Sequence, residues 1–164
     1  MWPSGDRLVF AEQPRKRPFV QLSAYVCLRP IADIRALAIM TAMEHASLVA
    51  FLEGKLAPEQ FGDEVGGEVS ACNEALRSEG LGYIVVSDGP PTIVTRDHAK
   101  RLLEAVADQR LTFEIANYAA DCIIMSDDFE FADDAVNEAL YFVEDDSVAP
   151  TVEEVRAAIE RLSR

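Results

Sequence analysis

The stretch VVSDGPPTIVTRDHA, residues 85–99, sets two short β-branched runs on either side of Asp88-Gly89-Pro90-Pro91 and ends in a charged helix start. Runs rich in Val, Ile and Thr favour strands, and Asp-Gly followed by proline is turn chemistry. The pattern predicts a β-hairpin over residues 83–95. Neither proline carries an N–H, so the turn has few backbone donors and makes a poor phosphate cradle. No GxGxxG or GxxxxGK[ST] pattern occurs anywhere in the chain.

Downstream of the hairpin, TRDHAKRLLEAVADQ has helical amphipathicity, with Thr95 or Asp97 as the N-cap. In LTFEIANYAADCIIM, Leu111, Phe113 and Ile115 alternate as in a strand, whereas Leu111, Ile115, Ala119, Cys122 and Ile123 form a helical stripe; the length favours helix. A further helix is expected over 129–144. It buries Ala132, Val136, Ala139, Leu140 and Val143 and turns Asp133, Asp134, Asn137, Glu138 and Tyr141 outward. TVEE at 151–154 matches a capping box ahead of a last amphipathic helix.

Upstream, Phe61, Val65, Val69, Cys72 and Leu76 form one stripe of a helix that follows Pro58 and stops at Gly80. Gly66 and Gly67 interrupt it, so either the helix begins after them or another backbone approaches there. A long apolar helix is expected from Pro30 to about residue 53, with Gly54 as its stop. FVQLSAYVCL at 19–28 alternates cleanly as a strand, LVFAE reads as a short strand, and PRKRP reads as an exposed basic loop. The expected fold is a mostly helical α+β domain, about six helices around a small antiparallel sheet that contains the hairpin. Residues 1–18 form an extension and 19–164 a single globular domain. No internal repeat is visible in the sequence.

The segment EALRSEGLGYIVVSDGPPTIVTRDHAKRLL, residues 74–103, resembles the helix–strand–strand–helix half of a CBS module. That resemblance implies an adenine-nucleotide site in which Thr95 holds the family's threonine position and Asp97 stands for its aspartate. Asp97 lies one residue short of the family spacing, and Thr92 replaces the family's glycine. The module's first strand is not visible, and no second copy completes the paired site.

Composition bounds the function. The formal net charge is −14 over 164 residues and is unevenly placed: residues 121–154 hold twelve acidic side chains and no basic one. Nucleic-acid binding needs a basic face and is disfavoured. An acidic surface either keeps a protein soluble or attracts a basic partner. No uncharged apolar run is long enough for a membrane span, because Glu44 and His45 interrupt the best one. Three widely spaced cysteines, Cys27, Cys72 and Cys122, read as free thiols in a reducing, cytoplasmic compartment.

Chemistry is sparsely signalled. Two histidines exclude a histidine-rich zinc site, and no cysteine pair has ligand spacing. Adjacent Glu44-His45 is not the Glu-x-x-His of a carboxylate di-iron bundle and reads as a polar spot beside the core. SDDFEFADD lacks the central glycine of an EF-hand loop, and Asp127 or Asp128 reads more simply as a helix cap. Asp97-His98 is the best catalytic pair on offer and reads more naturally as a helix first turn. No cofactor, metal or catalytic site is expected. The reading is a binding module, of inhibitor or immunity type, that masks a basic surface on a protein partner. Its expected contacts are Asp133, Asp134, Glu138 and Tyr141. The alternatives are a ligand-sensing domain using Thr95 and Asp97, and a small enzyme without a recognisable signature.

Overall fold

The computed structural model describes residues 42–79, 84–145 and 148–164. The expected strand at 19–28, the LVFAE segment, the basic loop, Cys27 and most of the 30–53 helix lie outside the described residues. Those described form, in order, α1 (His45–Leu52), α2 (Pro58–Glu79), β1 (Thr92–Val94), α3 (Arg96–Ala107), α4 (Phe113–Met125), β2 (Phe129–Phe131), α5 (Asp134–Glu144) and α6 (Val152–Leu162). A mostly helical α+β architecture with six helices is what the apolar periodicity requires.

The sheet differs from expectation. Among the described residues, the two β-branched arms around Asp88-Gly89-Pro90-Pro91 do not pair with each other. Val86 instead makes a parallel bridge to Met43. The Met43 N–H donates to the Val85 carbonyl at 2.8 Å, and the Ser87 N–H donates to the Met43 carbonyl at 2.9 Å. Past the prolines, β1 pairs in parallel with β2, Thr92 opposite Phe129 and Val94 opposite Phe131. The antiparallel hairpin of residues 83–95 is therefore corrected to a segment that changes partner. The donors of this stretch explain why. Gly89 N–H goes to the Asp128 carboxylate at 3.1 Å and Thr92 N–H to the Asp128 carbonyl at 2.8 Å. Pro90 and Pro91, lying between them, have no N–H with which to close a turn.

Gly89 is needed where it stands. It lies against the ring of His45, and a Cβ there would sit 2.1 Å from both Cγ and Nδ1. The same ring stacks on Phe129 with centroids 4.8 Å apart. His45 is only 3 % exposed, so the polar spot expected beside the core is inside it. Its backbone N–H donates to the Ser87 hydroxyl, which donates in turn to the exposed carboxylate of Glu44.

The chain repeats one structural unit, an extended segment followed by two helices. Extended residues 42–44 lead into α1 and α2, β1 into α3 and α4, and β2 into α5 and α6. Counted from the N-cap residues Glu44 and Thr95, the fourth, seventh and eighth positions are buried in both α1 and α3: Leu48, Phe51 and Leu52, then Ala99, Leu102 and Leu103. Counted from Thr112 and Thr151, the fourth, seventh and eleventh are buried in α4 and α6: Ala116, Ala119 and Ile123, then Val155, Ala158 and Leu162. Such spacing holds an apolar stripe on one helix face. α3 is the central helix and packs on α1, α4, α5 and α6. Phe51 and Phe61 join α1 to α2 by stacking at 4.5 Å.

Three further expectations change. The 30–53 helix does not run through residues 42–44, which are extended, although Gly54 ends α1 with φ of 79° as a left-handed stop. The 129–144 helix is split: Phe129, Glu130 and Phe131 form β2, Ala132 is exposed, and α5 starts only at Asp134. α2 runs unbroken through Gly66 and Gly67, where nothing lies within 4 Å of an added Cβ.

Two glycine substitutions should therefore separate in sign. Gly89→Ala drives a methyl into the His45 ring and should lower the urea midpoint by the equivalent of about 1–3 kcal/mol or more. Gly67→Ala fills open space within a helix and should raise stability by up to about 1 kcal/mol. Equal midpoints for the two variants would refute the Gly89–His45 contact.

Candidate functional site

The acidic stretch is sorted by the way α5 begins. Asp133 is its N-cap: Oδ1 accepts the Val136 N–H at 3.1 Å, and Oδ2 accepts from Arg96 Nε at 2.7 Å. Arg96 opens α3 and also reaches the Leu162 carbonyl at the end of α6, at 3.5 Å. The Asp133 carboxylate thus joins the starts of α3 and α5. Its hydrogen bond from Arg96, then that from the Val136 N–H, holds its pKa below the usual carboxylate range.

Asp134, Glu138 and Tyr141 follow at intervals of four and three residues, the spacing of one helix face. All three are exposed, Tyr141 at 45 %. Neither Asp134 nor Glu138 has an ion-pair partner among the described residues. On the opposite face Val136, Ala139, Leu140 and Val143 are buried. α5 thus presents two carboxylates and a half-exposed phenol from a helix whose other side is fixed in the core. Asp127 and Asp128 cap no helix; Asp128 holds Gly89 instead.

Thr95 and Asp97 lie at the start of α3. The Thr95 hydroxyl accepts the His98 N–H at 3.4 Å while His98 Nδ1 accepts the Thr95 N–H at 3.3 Å, a reciprocal cap with histidine where glutamate or glutamine is usual. Both Thr95 and Asp97 border an open cleft of about 490 Å³ between the end of α1 and the first turns of α3. Without the hairpin, the strand arrangement that the CBS resemblance implies is not present. The cleft was not legible in the sequence, since α1 and α3 lie far apart along the chain.

Among the described residues, neither histidine ring is hydrogen-bonded to a serine or a cysteine. Ser87 Oγ meets the backbone N–H of His45 rather than its ring, and the His98 ring is engaged with the Thr95 backbone. Burial pushes the Cys122 thiol well above its ordinary range, which opposes the thiolate form that nucleophilic attack requires. Among the described residues, no group of three or more His, Cys, Asp or Glu side chains is placed to hold a metal ion. No helix described is long and apolar enough to cross a membrane.

The Asp133 cap makes a prediction of definite sign. Because its folded pKa is depressed, Asp133 stabilises the fold above the ordinary carboxylate range, and that contribution is lost as pH falls through the lowered value. Asp133→Ala, which removes the cap acceptor and the partner of Arg96 together, should lower the urea midpoint at neutral pH, and its gap from wild type should narrow on acidification. Asp133→Asn, which keeps an oxygen to cap the helix, should lose much less, and Asp134→Asn should barely move the midpoint. A neutral-pH midpoint for Asp133→Ala equal to wild type would refute the cap.

No family model, no curated protein and no solved structure matches the chain.

Proposed function

We propose that this protein acts by binding a protein partner that carries a basic surface, as an inhibitor or immunity-type module does when it masks a charged site. The observation that supports this reading is the outer stripe of α5. Asp134 and Glu138 are exposed and have no ion-pair partner among the described residues, and Tyr141 stands beside them. An exposed aromatic flanked by carboxylates suits an interface, where aromatics supply contact area and rim charges set orientation and on-rate. Asp133 takes a different part from its neighbours: it fixes where α5 starts and so where the stripe points.

Repulsion within the stripe is small, since like charges four residues apart on a helix cost only about 0.2–0.5 kcal/mol. A fold tolerates that readily. The negative potential reaches about 8–10 Å at physiological salt, enough to steer a cationic surface on approach.

The test is affinity capture from native lysate at low and high salt with wild type, Asp134→Asn/Glu138→Gln and Asp134→Lys/Glu138→Lys. Each captured protein is identified and then titrated in purified form. Lysine at Asp134 costs a helix-dipole interaction worth about 0.3–1 kcal/mol, so all three proteins should remain folded by circular dichroism. Wild type should bind a protein with a basic patch, more weakly as salt rises. The neutralised variant should bind it less and the reversed variant not at all. Equal binding by wild type and the reversed variant, or binding indifferent to salt, would remove the proposal.

A further inference from the structure

The cleft between α1 and α3 has an uneven distribution of charge. Its half-buried charged side chains are both cations, Lys100 and Arg101, while its carboxylates, Glu53, Asp97 and Glu104, are exposed at the rim. Glu53 is already paired with Lys55. Lys100 and Arg101 make no ion pair among the described residues, and the buried Nε of Arg101 has no acceptor. In a chain of net charge −14, two adjacent half-buried cations without a carboxylate partner are out of keeping with the rest of the surface.

Arg101 lies close to Gly54, just beyond the end of α1. Its guanidinium lies on the backbone of Gly54, and a Cβ there would stand 2.8 Å from Nη1. Gly54 thus both ends α1 and leaves room for the cation. Lying at the C-terminal end of α1, which has no basic residue in its last turn, the guanidinium meets the negative end of that helix. This accounts for the position of Arg101. Among the described residues it leaves the buried Nε–H of Arg101 without an acceptor and Lys100 without an ion-pair partner. A partly desolvated charge is stabilised by a counter-charge that also accepts hydrogen bonds, and guanidinium matches oxyanions in shape.

We infer that this cleft binds a small organic anion, a carboxylate or a phosphate, whose charged oxygens meet Arg101 and Lys100 on the floor. The volume of about 490 Å³ suits a ligand of metabolite size. The exposed carboxylates of Asp97 and Glu104 at the rim disfavour long polyanions such as nucleic acid. The inference concerns a site apart from the α5 face and does not depend on it.

Titration of the ¹⁵N-labelled full-length chain with inorganic phosphate, and separately with succinate, tests this at low chloride. The expected result is a saturable shift of the Arg101 Nε–Hε signal and of the backbone amides of residues 95–104. The amide shifts should be abolished in Arg101→Gln, weakened several-fold in Lys100→Gln and unchanged in Arg161→Gln, which alters an exposed arginine of α6. The tighter of the two probes identifies the ligand class. The inference is overturned by three results: no saturable shift with either probe, an Arg101→Gln protein that titrates as wild type does, or equal shifts at every arginine.

Discussion

The fit of Gly89 against the ring of His45 is the contact on which the rest of the arrangement turns. His45 opens α1 and stacks on Phe129, the first residue of β2. Gly89 sits between the two halves of an extended segment, one bridged to Met43 and the other paired with β2. One imidazole therefore touches the first, second and third strand–helix–helix units together. A larger residue at position 89 has nowhere to go, because the ring it would displace is itself packed in the core. The Asp128 carboxylate holds the Gly89 N–H from the β2 side, so the crossing is fixed by a hydrogen bond as well as by shape.

With strands of three residues, the sheet contributes few hydrogen bonds and its main effect is alignment. Parallel pairing of β1 with β2 brings the two following helix starts to the same end of the sheet, where Arg96 and Asp133 meet. Ion pairs this exposed add little to stability by themselves. The stabilisation resides in the apolar stripes, which recur at matched distances from each N-cap and close around α3. Parallel strands need crossover connections, and here each crossover is a pair of helices.

The helices were legible because apolar spacing and caps are local properties. Thr95, Thr112 and Thr151 each cap the helix that their following residues predict. What the sequence could not convey was strand direction. Two β-branched arms around Asp-Gly-Pro-Pro look the same whether they fold back on each other or pass on to different partners, because alternation carries no information about the partner strand. Phe129 and Phe131 fall within the helix expected over 129–144 for the same reason: three residues are too few to establish a period of two. Counting helical phase from Phe129, ahead of the true helix start, turns Asp133 outward with Asp134. Once α5 begins at Asp134, position 133 becomes the cap and its carboxylate turns toward Arg96.

The acidic excess acquires meaning only after this sorting. Asp133, Asp128, Glu59 and Glu154 are all engaged: with Arg96 and a helix start, with Gly89, with Arg110, and with the Thr151 cap. For Glu59 and Glu154 these bonds also depress the pKa, so the charged form is the one the fold selects. A carboxylate so engaged already accepts hydrogen bonds from the chain and has its position fixed by the fold. Asp134 and Glu138 have neither constraint; their charge is directed at solvent and at whatever approaches through it. Net charge alone does not distinguish these two populations, and only the second is available to a partner. The cations sort in the same way. Arg96 and Arg110 are engaged with carboxylates, while Lys100 and Arg101 line a cleft and make no ion pair among the described residues. Among the described residues, unpaired carboxylates on α5 and unpaired cations on α3 thus lie on different helices, so the charge left over after folding is not all of one sign.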